Sequence, residues 1–256
     1  MNKIPITVCL YTSTKGHFGR FDCYQKTINQ LFSLIPSVDW SNLFANIKID
    51  ENNQQRDREM AMWLTERGFL VEGYFGTWKH GDDNHQTEYL ADMKRMMHRV
   101  RTPYFLHLED DMTIHVYEKE FSYWLSEAID FLETDPNLVQ VRIPRYNNEA
   151  ERILALKAKH GIDGRAEWSK SEEFFYQNDY CNHPFIARTR DFRAALQCVF
   201  KTNLPKHTEH GVGLAMKLLS DSELPFICFD PDRIRCCHIG TKPGDEDDST
   251  KPLFAT

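Results

Sequence analysis

The sequence predicts an α/β domain in which helices cover both faces of a mostly parallel central sheet. Two observations carry this prediction. Short apolar runs alternate with segments whose apolar residues recur every three or four positions, as strands and helices do in α/β folds. In addition, the run at residues 104–108 is apolar on both sides of the strand apart from one histidine, as in a parallel strand with two buried faces.

In the first half of the chain, the elements follow one another at short intervals, which favours right-handed crossovers. Helix-terminating residues separate them: Pro36 follows the first helix, Gly68 the second and Pro103 the third. In chain order, we predict strand 6–11, helix 21–35, strand 43–49, helix 56–67, strand 70–75, helix 89–100, strand 104–108, helix 121–132 and strand 138–143.

In the second half, the pattern is less regular between residues 145 and 171, where charged residues are frequent and one short helix is predicted. A regular pattern then returns, and Thr208 is a suitable N-cap for the last helix. The predicted elements are helix 149–159, strand 181–188, helix 192–200, helix 209–220 and strand 226–229.

Composition narrows the classes of protein. The 256 residues carry a formal net charge of −7, and the pI of about 5.9 disfavours a general nucleic-acid binder, which would carry a basic stripe. No run of about 18 apolar residues is present, so no transmembrane segment is expected. The seven cysteines form no CxxC pair, and the apolar first strand does not resemble a signal peptide. We therefore expect reduced thiols and a cytoplasmic protein.

Three consecutive acids, Glu109, Asp110 and Asp111, end the strand at residues 104–108. Open α/β sheets bind their ligands at the carboxyl ends of their strands. Adjacent carboxylates repel one another, so a cation that neutralises them favours such a cluster. A divalent metal held by these oxygens and by substrate phosphates fits this position. The alternative is an acidic strand end that is exposed to water.

Four local features together resemble the GT-A glycosyltransferases, over about residues 4–242. The first strand ends in a hydroxyl-containing loop, VCLYTSTKG, at Thr12. The next strand ends in an acid, Asp50. The acids at residues 109–111 resemble the metal-binding triplet of that family. Finally, Glu209 opens a helix about a hundred residues later, and His238 follows in the segment CCHIGTK. The resemblance implies a GT-A-like nucleotide-binding fold.

The resemblance implies a role for each acid of the triplet and for the C-terminal segment. Asp111 would bind the metal directly, while Glu109 or Asp110 would face the ribose or a bound water. His238 would be a further ligand, and its imidazole favours Mn²⁺ over Mg²⁺. Lys242 would contact the diphosphate as a point charge. Without the resemblance, His238 is an ordinary histidine that follows a strand.

The family also implies contacts to the nucleotide and a division of the chain. Thr12 and Asp50 would contact the base or ribose. Residues 1–143 would form the nucleotide-binding half and residues 144–242 the acceptor-side half of one catalytic domain. Residues 243–256, rich in glycine, proline and acids, would form a flexible tail.

A general base is required if the transfer inverts the anomeric configuration. Glu209 is the first candidate, because a carboxylate in the first turn of a helix is favoured by the helix dipole. Asp179, in QNDYCNHPF, is the second candidate, and His210 is a weaker one. Under the alternative interpretation, Glu209 is an ordinary first-turn acid.

The resulting hypothesis is a glycosyltransferase that depends on Mn²⁺ or Mg²⁺. It would move a sugar from a nucleotide diphosphate-sugar, UDP- more readily than GDP-, to a hydroxyl of a glycan or another acceptor. Two alternatives remain open at this point: a sugar-phosphate nucleotidyltransferase, and a non-catalytic protein that binds nucleotide-sugars. We interpret the loop KHGDDNH at residues 79–85 as a turn, because its spacing matches no calcium or zinc loop.

Overall fold

A computed structural model describes residues 6–13, 20–34, 43–49, 54–75, 84–117, 119–145, 174–177, 180, 182–206, 208–222, 225–229 and 233–239. Ten strands, six α-helices and one π-helical turn lie within these ranges. The first part contains β1 (Ile6–Ser13), α1 (Arg20–Leu34), β2 (Phe44–Ile49), α2 (Gln54–Glu66), β3 (Leu70–Phe75), α3 (Asn84–Arg99), β4 (Tyr104–Glu109), β5 (Met112–Val116), α4 (Phe121–Thr134) and β6 (Gln140–Arg142). The second contains β7 (Phe174–Gln177), β8 (Phe185–Arg188), α5 (Thr189–Lys201), the π-turn (Thr208–Val212), α6 (Gly213–Ser220), β9 (Phe226–Phe229) and β10 (Ile234–His238).

The central sheet has eight strands in the order β3-β2-β1-β4-β8-β6-β9-β7. Six of these strands run in one direction, and β8 and β7 run in the other. The prediction of a mostly parallel central sheet is therefore confirmed. Strands from both halves of the sequence join this one sheet.

Helices cover both faces of the sheet, as predicted. Alternate residues of β1 divide between two apolar clusters: Ile6, Val8 and Leu10 face one way, and Cys9 and Tyr11 face the other. The first cluster includes residues of α1, α2 and α4, and the second includes residues of α3, α5 and α6. This separation follows from the period of two in a strand, which sends neighbouring side chains to opposite faces.

A second, two-stranded sheet is formed by β5 and β10, which pair antiparallel. This pairing was not predicted from the sequence. More than a hundred residues separate the two strands, so no local turn signal marks it. A parallel bridge between Arg145 and Cys236 places β10 beside the chain that follows β6.

The structure corrects several predicted boundaries. The helix predicted at 209–220 begins as the π-turn, and α6 starts only at Gly213. Thr208 is thus the first residue of a π-turn and not an α-helical N-cap. The strand predicted at 181–188 is limited to β8, and β7 was not predicted. The helix predicted at 149–159 lies outside the described residues, as does the loop at 79–83.

None of the helices in the described part of the chain combines the length and apolar character needed to cross a membrane. Among the cysteines, the Cys9 and Cys198 thiols form no disulfide, and the Cys236 thiol donates to the carbonyl of Ile143. Burial raises the pKa of the Cys9 thiol well above its ordinary value, so Cys9 is neutral and packs as an apolar side chain.

Candidate active site

The acidic triplet lies at the carboxyl edge of the central sheet. Glu109 is the last residue of β4, and Asp110 and Asp111 form the turn into β5. Asp110 is fully buried, whereas Glu109 and Asp111 are partly exposed. Glu109 and Asp111 are therefore the triplet residues with surface open to solvent, although Oδ1 of Asp111 is itself buried.

The first strand delivers its own carboxyl end to the same place. β1 and β4 pair in parallel, and their register sets Tyr11 opposite Glu109. The backbone of Thr12 follows directly and pairs with Ile47 of β2. The predicted nucleotide-contacting strand end and the predicted metal-binding triplet are thus neighbours in the sheet. The structure does not describe the Thr12 side chain.

The C-terminal segment reaches the triplet through the small sheet. His238, the last residue of β10, pairs with Met112, the first residue of β5. The next backbone N–H, of Ile239, donates to the Asp111 carbonyl oxygen at 3.0 Å. Two motifs 127 residues apart, Asp111 and His238, therefore meet along the backbone. The His238 side chain, like Asp50, Asp179 and Lys242 as whole residues, lies outside the structural description.

Glu109 has a specific hydrogen-bond donor that the sequence analysis missed. The Tyr89 hydroxyl of α3 donates to Glu109 Oε1 at 3.3 Å, and the Tyr89 ring packs edge-on against Tyr11 at 5.5 Å. Burial and the Glu109 charge raise the pKa of Tyr89 well above its ordinary value, so the hydroxyl stays protonated as a donor. From the sequence, Tyr89 was predicted only as the first residue of the helix at 89–100.

His107 lies two residues before Glu109, on the same face of β4. Its ring stacks on Phe185 at 4.7 Å, with the Tyr11 ring 4.7 Å away on a tilted plane. Burial lowers the pKa of His107 to about 3, and the Asn182 backbone partly offsets this effect. His107 is therefore neutral at physiological pH and supports the site from within the core.

Glu209, the candidate base, is exposed on the π-turn. Asn182 contacts this turn twice: its side-chain amide donates to Thr208 Oγ1 at 3.1 Å, and its backbone N–H donates to Glu209 Oε1 at 3.5 Å. Because both partners of Asn182 are consecutive residues, it fixes the start of the turn as well as the carboxylate. Asn182 was not among the predicted site residues, and no sequence pattern marks it.

Two glycines allow the π-turn to pack closely on its neighbours. A Cβ on Gly211 would lie 2.0 Å from the Pro205 carbonyl oxygen, and a Cβ on Gly213 would lie 2.9 Å from the Tyr180 Cβ. Only residues without a side chain fit at these distances. Single π-turns of this kind occur frequently at functional sites.

The donor chemistry at the triplet suits a hard divalent cation. Glu109 and Asp111 offer carboxylate oxygens, which Mg²⁺ and Mn²⁺ prefer. Within the described ranges, no group of three or more His, Cys, Asp or Glu side chains is arranged to enclose a metal ion.

Comparisons with known proteins bear on the fold. No protein-family model matches the chain, and no curated protein matches its sequence. Among solved structures, the chain is similar to GalNAc-T7 with UDP, GalNAc and Mn²⁺, at 7% identity and a TM-score of 0.53, over 94% of this chain and 44% of that one. It is also similar to the mannosyltransferase PcManGT from Pyrobaculum calidifontis in complex with GDP-Man and Mn²⁺, at 9% identity and a TM-score of 0.48, over 89% and 57%.

The likeness to GalNAc-T7 confirms the predicted fold: the chain has a GT-A fold. The chain spans about half the length of these solved structures. At such low identity the likeness carries the fold alone.

Proposed function

We propose that this protein is a metal-dependent glycosyltransferase that moves a sugar from a nucleotide diphosphate-sugar to an acceptor hydroxyl, with inversion. The observation that carries the proposal is the hydrogen bond from Ile239 to Asp111. This bond holds together the two segments that we propose to bind the metal, the turn at Asp111 and the end of β10. The turn lies at the carboxyl edge of the sheet, where α/β sheets bind their ligands.

In this proposal Asp111 holds Mn²⁺ or Mg²⁺ directly, with His238 as a further ligand. When bound, the ion supplies Lewis-acid stabilisation of the negative charge on the departing diphosphate. Glu109, held by Tyr89, would accept hydrogen bonds from the ribose or from metal-bound water. Asp110 is buried, so we assign it to supporting the turn. This leaves Glu109 as the acid that would face the ribose or a bound water.

The nucleotide would lie across the carboxyl ends of β1 and β4. Thr12 and Asp50 would contact the base or ribose, and Lys242 the diphosphate. A UDP-sugar is proposed as the donor in preference to a GDP-sugar.

We assign Glu209 to proton removal from the acceptor hydroxyl. Its carboxylate is exposed to an incoming acceptor, and Asn182 orients it. Its turn also packs against α3, the helix that carries Tyr89. The proposed base and the Glu109 carboxylate thus belong to the same face of the sheet. Asp179 and His210 are the alternative bases.

The test is a panel of UDP- and GDP-sugars incubated with the purified chain and Mn²⁺, Mg²⁺ or EDTA. We expect metal-dependent release of the nucleoside diphosphate. NMR of the product anomer then distinguishes inversion from retention. Release of pyrophosphate from a sugar phosphate and a nucleoside triphosphate would instead identify a nucleotidyltransferase, and nucleotide-sugar binding without any product would identify a non-catalytic binder.

We further propose that the protein acts in the cytoplasm as one catalytic domain with a nucleotide-binding half and an acceptor-side half. The thiols of Cys9 and Cys198, which form no disulfide, support a reducing compartment. The joining of strands from both halves in one sheet supports a single domain.

A further inference from the structure

We infer that α1 positions the metal-binding turn, with Thr27 and Gln30 as the positioning residues. The Thr27 hydroxyl donates to the Asp110 carbonyl oxygen at 3.1 Å. Gln30 Oε1 accepts a hydrogen bond from the Ile114 backbone N–H at 2.7 Å. These two bonds hold the backbone on either side of Asp111. The inference rests on the proposed function, because it assigns Asp111 to a metal.

The spacing of Thr27 and Gln30 lets both side chains bond to the same stretch of backbone. Residues three apart in an α-helix lie on the same face, so Thr27 and Gln30 present a donor and an acceptor to the same stretch of backbone. Thr27 is 1% exposed, so its hydroxyl reaches Asp110 without competition from water. α1 packs along β5, which brings this face against the turn.

The hydrogen bonds of Thr27 and Gln30 complete a set of bonds that reaches the turn from two sides. The Ile239 N–H holds the Asp111 carbonyl from β10, and α1 holds Asp110 and Ile114 from the opposite side of β5. Three hydrogen bonds thus fix the backbone over the five residues 110–114, which include Asp111. A buried backbone group without a partner is costly, so these bonds also satisfy groups that the short strand leaves unpaired.

The functional consequence concerns metal affinity. A metal ligand must be held in one orientation, and loss of the groups that orient it typically weakens metal binding by 10- to 100-fold. Neither Thr27 nor Gln30 carries a charge. Any change in metal affinity on their substitution therefore reports the position of the Asp111 carboxylate and not a loss of attraction for the cation.

The test compares Thr27→Val and Gln30→Met, which keep side-chain size and remove one hydrogen bond each, with Thr27→Ser, which retains the hydroxyl. The matched control is Thr7→Val. Thr7 is equally buried, and its hydroxyl is 2.6 Å from that of Thr102 at the opposite edge of the sheet. The Mn²⁺ dissociation constant is measured from the EPR signal of unbound Mn²⁺, without nucleotide and with saturating UDP. The thermal midpoint in EDTA reports stability.

We expect Thr27→Val and Gln30→Met to raise the Mn²⁺ dissociation constant about tenfold. Thr27→Ser should keep the wild-type Mn²⁺ dissociation constant. Thr7→Val should lower the thermal midpoint without changing the Mn²⁺ dissociation constant. If Thr27→Val and Gln30→Met lower the thermal midpoint but leave the Mn²⁺ affinity unchanged, the inference is overturned and the proposed function stays intact. Absence of Mn²⁺ binding by the wild-type chain, with UDP and with GDP, would overturn both. If Thr27→Val does not fold, Gln30→Met decides, because Gln30 is only partly buried.

Discussion

The backbone N–H of Ile239 hydrogen-bonds to the carbonyl oxygen of Asp111, although the two residues are 128 positions apart in the chain. This single bond fixes the end of β10 to the turn that follows β4. As a result, the acidic triplet and residues 236–239 lie side by side.

Asp111→Asn replaces a carboxylate with an amide of the same shape. We expect metal-dependent turnover to fall at least about 10²-fold, because the proposed metal would lose its direct anionic ligand and with it the stabilisation of charge on the leaving group. Nucleoside diphosphate release under saturating Mn²⁺ measures this. Asp130→Asn, at an exposed position of α4, is the control and should be fully active. Turnover close to that of the wild type would reject the role of Asp111.

Glu209→Gln removes the proposed base without changing its size. We expect the turnover number to fall by about 10²-fold or more, since a positioned general base contributes about this factor. Nucleotide affinity should stay within about twofold, because Glu209 acts on the acceptor. Steady-state kinetics and UDP titration measure the two quantities, with Glu66→Gln at the exposed end of α2 as the control. An active Glu209→Gln variant would shift the assignment to Asp179 or His210.

His107 should make stability depend on pH. Its folded-state pKa of about 3 lies below the ordinary histidine value of about 6.5, so the unfolded chain binds more protons between these limits. Stability is therefore full above about pH 6.5 and falls as pH is lowered, by up to about 1.4 kcal/mol per pH unit.

His107→Phe keeps an aromatic ring for stacking on Phe185 and cannot be protonated. When the pH is lowered from 7.5 to 5.0, we expect the unfolding free energy of the wild type to fall by about 2 kcal/mol more than that of the variant. Urea unfolding at the two pH values measures this difference, in which other titrating groups cancel. An identical pH dependence of both proteins would show that the proton uptake of His107 does not differ between the folded and unfolded chains.

Gly211→Ala should destabilise the π-turn, because the new Cβ would be 2.0 Å from the Pro205 carbonyl oxygen. Overpacking of this kind costs about 1–3 kcal/mol, which corresponds to a fall in melting temperature of roughly 2–10 °C for a chain of this size. Gly73→Ala, at an exposed position on the edge strand β3, is the matched control. Equal melting temperatures for the two variants would mean that the turn shifts to accept a side chain.

Local patterns were sufficient to predict most of the sheet. Apolar runs identified β1, β2, β3 and β4 nearly at their observed boundaries, because a strand buried on both faces must be apolar along its length. The position of the triplet could be predicted as well, because it is the polar end of the most apolar of these runs. Helix periodicity likewise identified the five helices α1 to α5.

Long-range pairing was not predictable in the same way. β5 and β10 are five residues each, and only their mutual pairing makes them a sheet. The contacts from Tyr89 to Glu109 and from Asn182 to Glu209 depend on packing between distant elements, so neither residue type nor spacing marks them. The π-turn escaped prediction because Gly211 within it and Gly213 just after it are required by close packing against Pro205 and Tyr180, which local spacing does not reveal.

The most direct test of the central claim is a crystal of the chain soaked with MnCl₂ and UDP, or GDP, with diffraction recorded at the manganese absorption edge. We predict an anomalous peak within bonding distance of the Asp111 carboxylate, and the diphosphate of the nucleotide bound to the same ion at the carboxyl edge of β4. A fully occupied nucleotide without manganese beside Asp111, or manganese bound only elsewhere on the chain, would contradict the account.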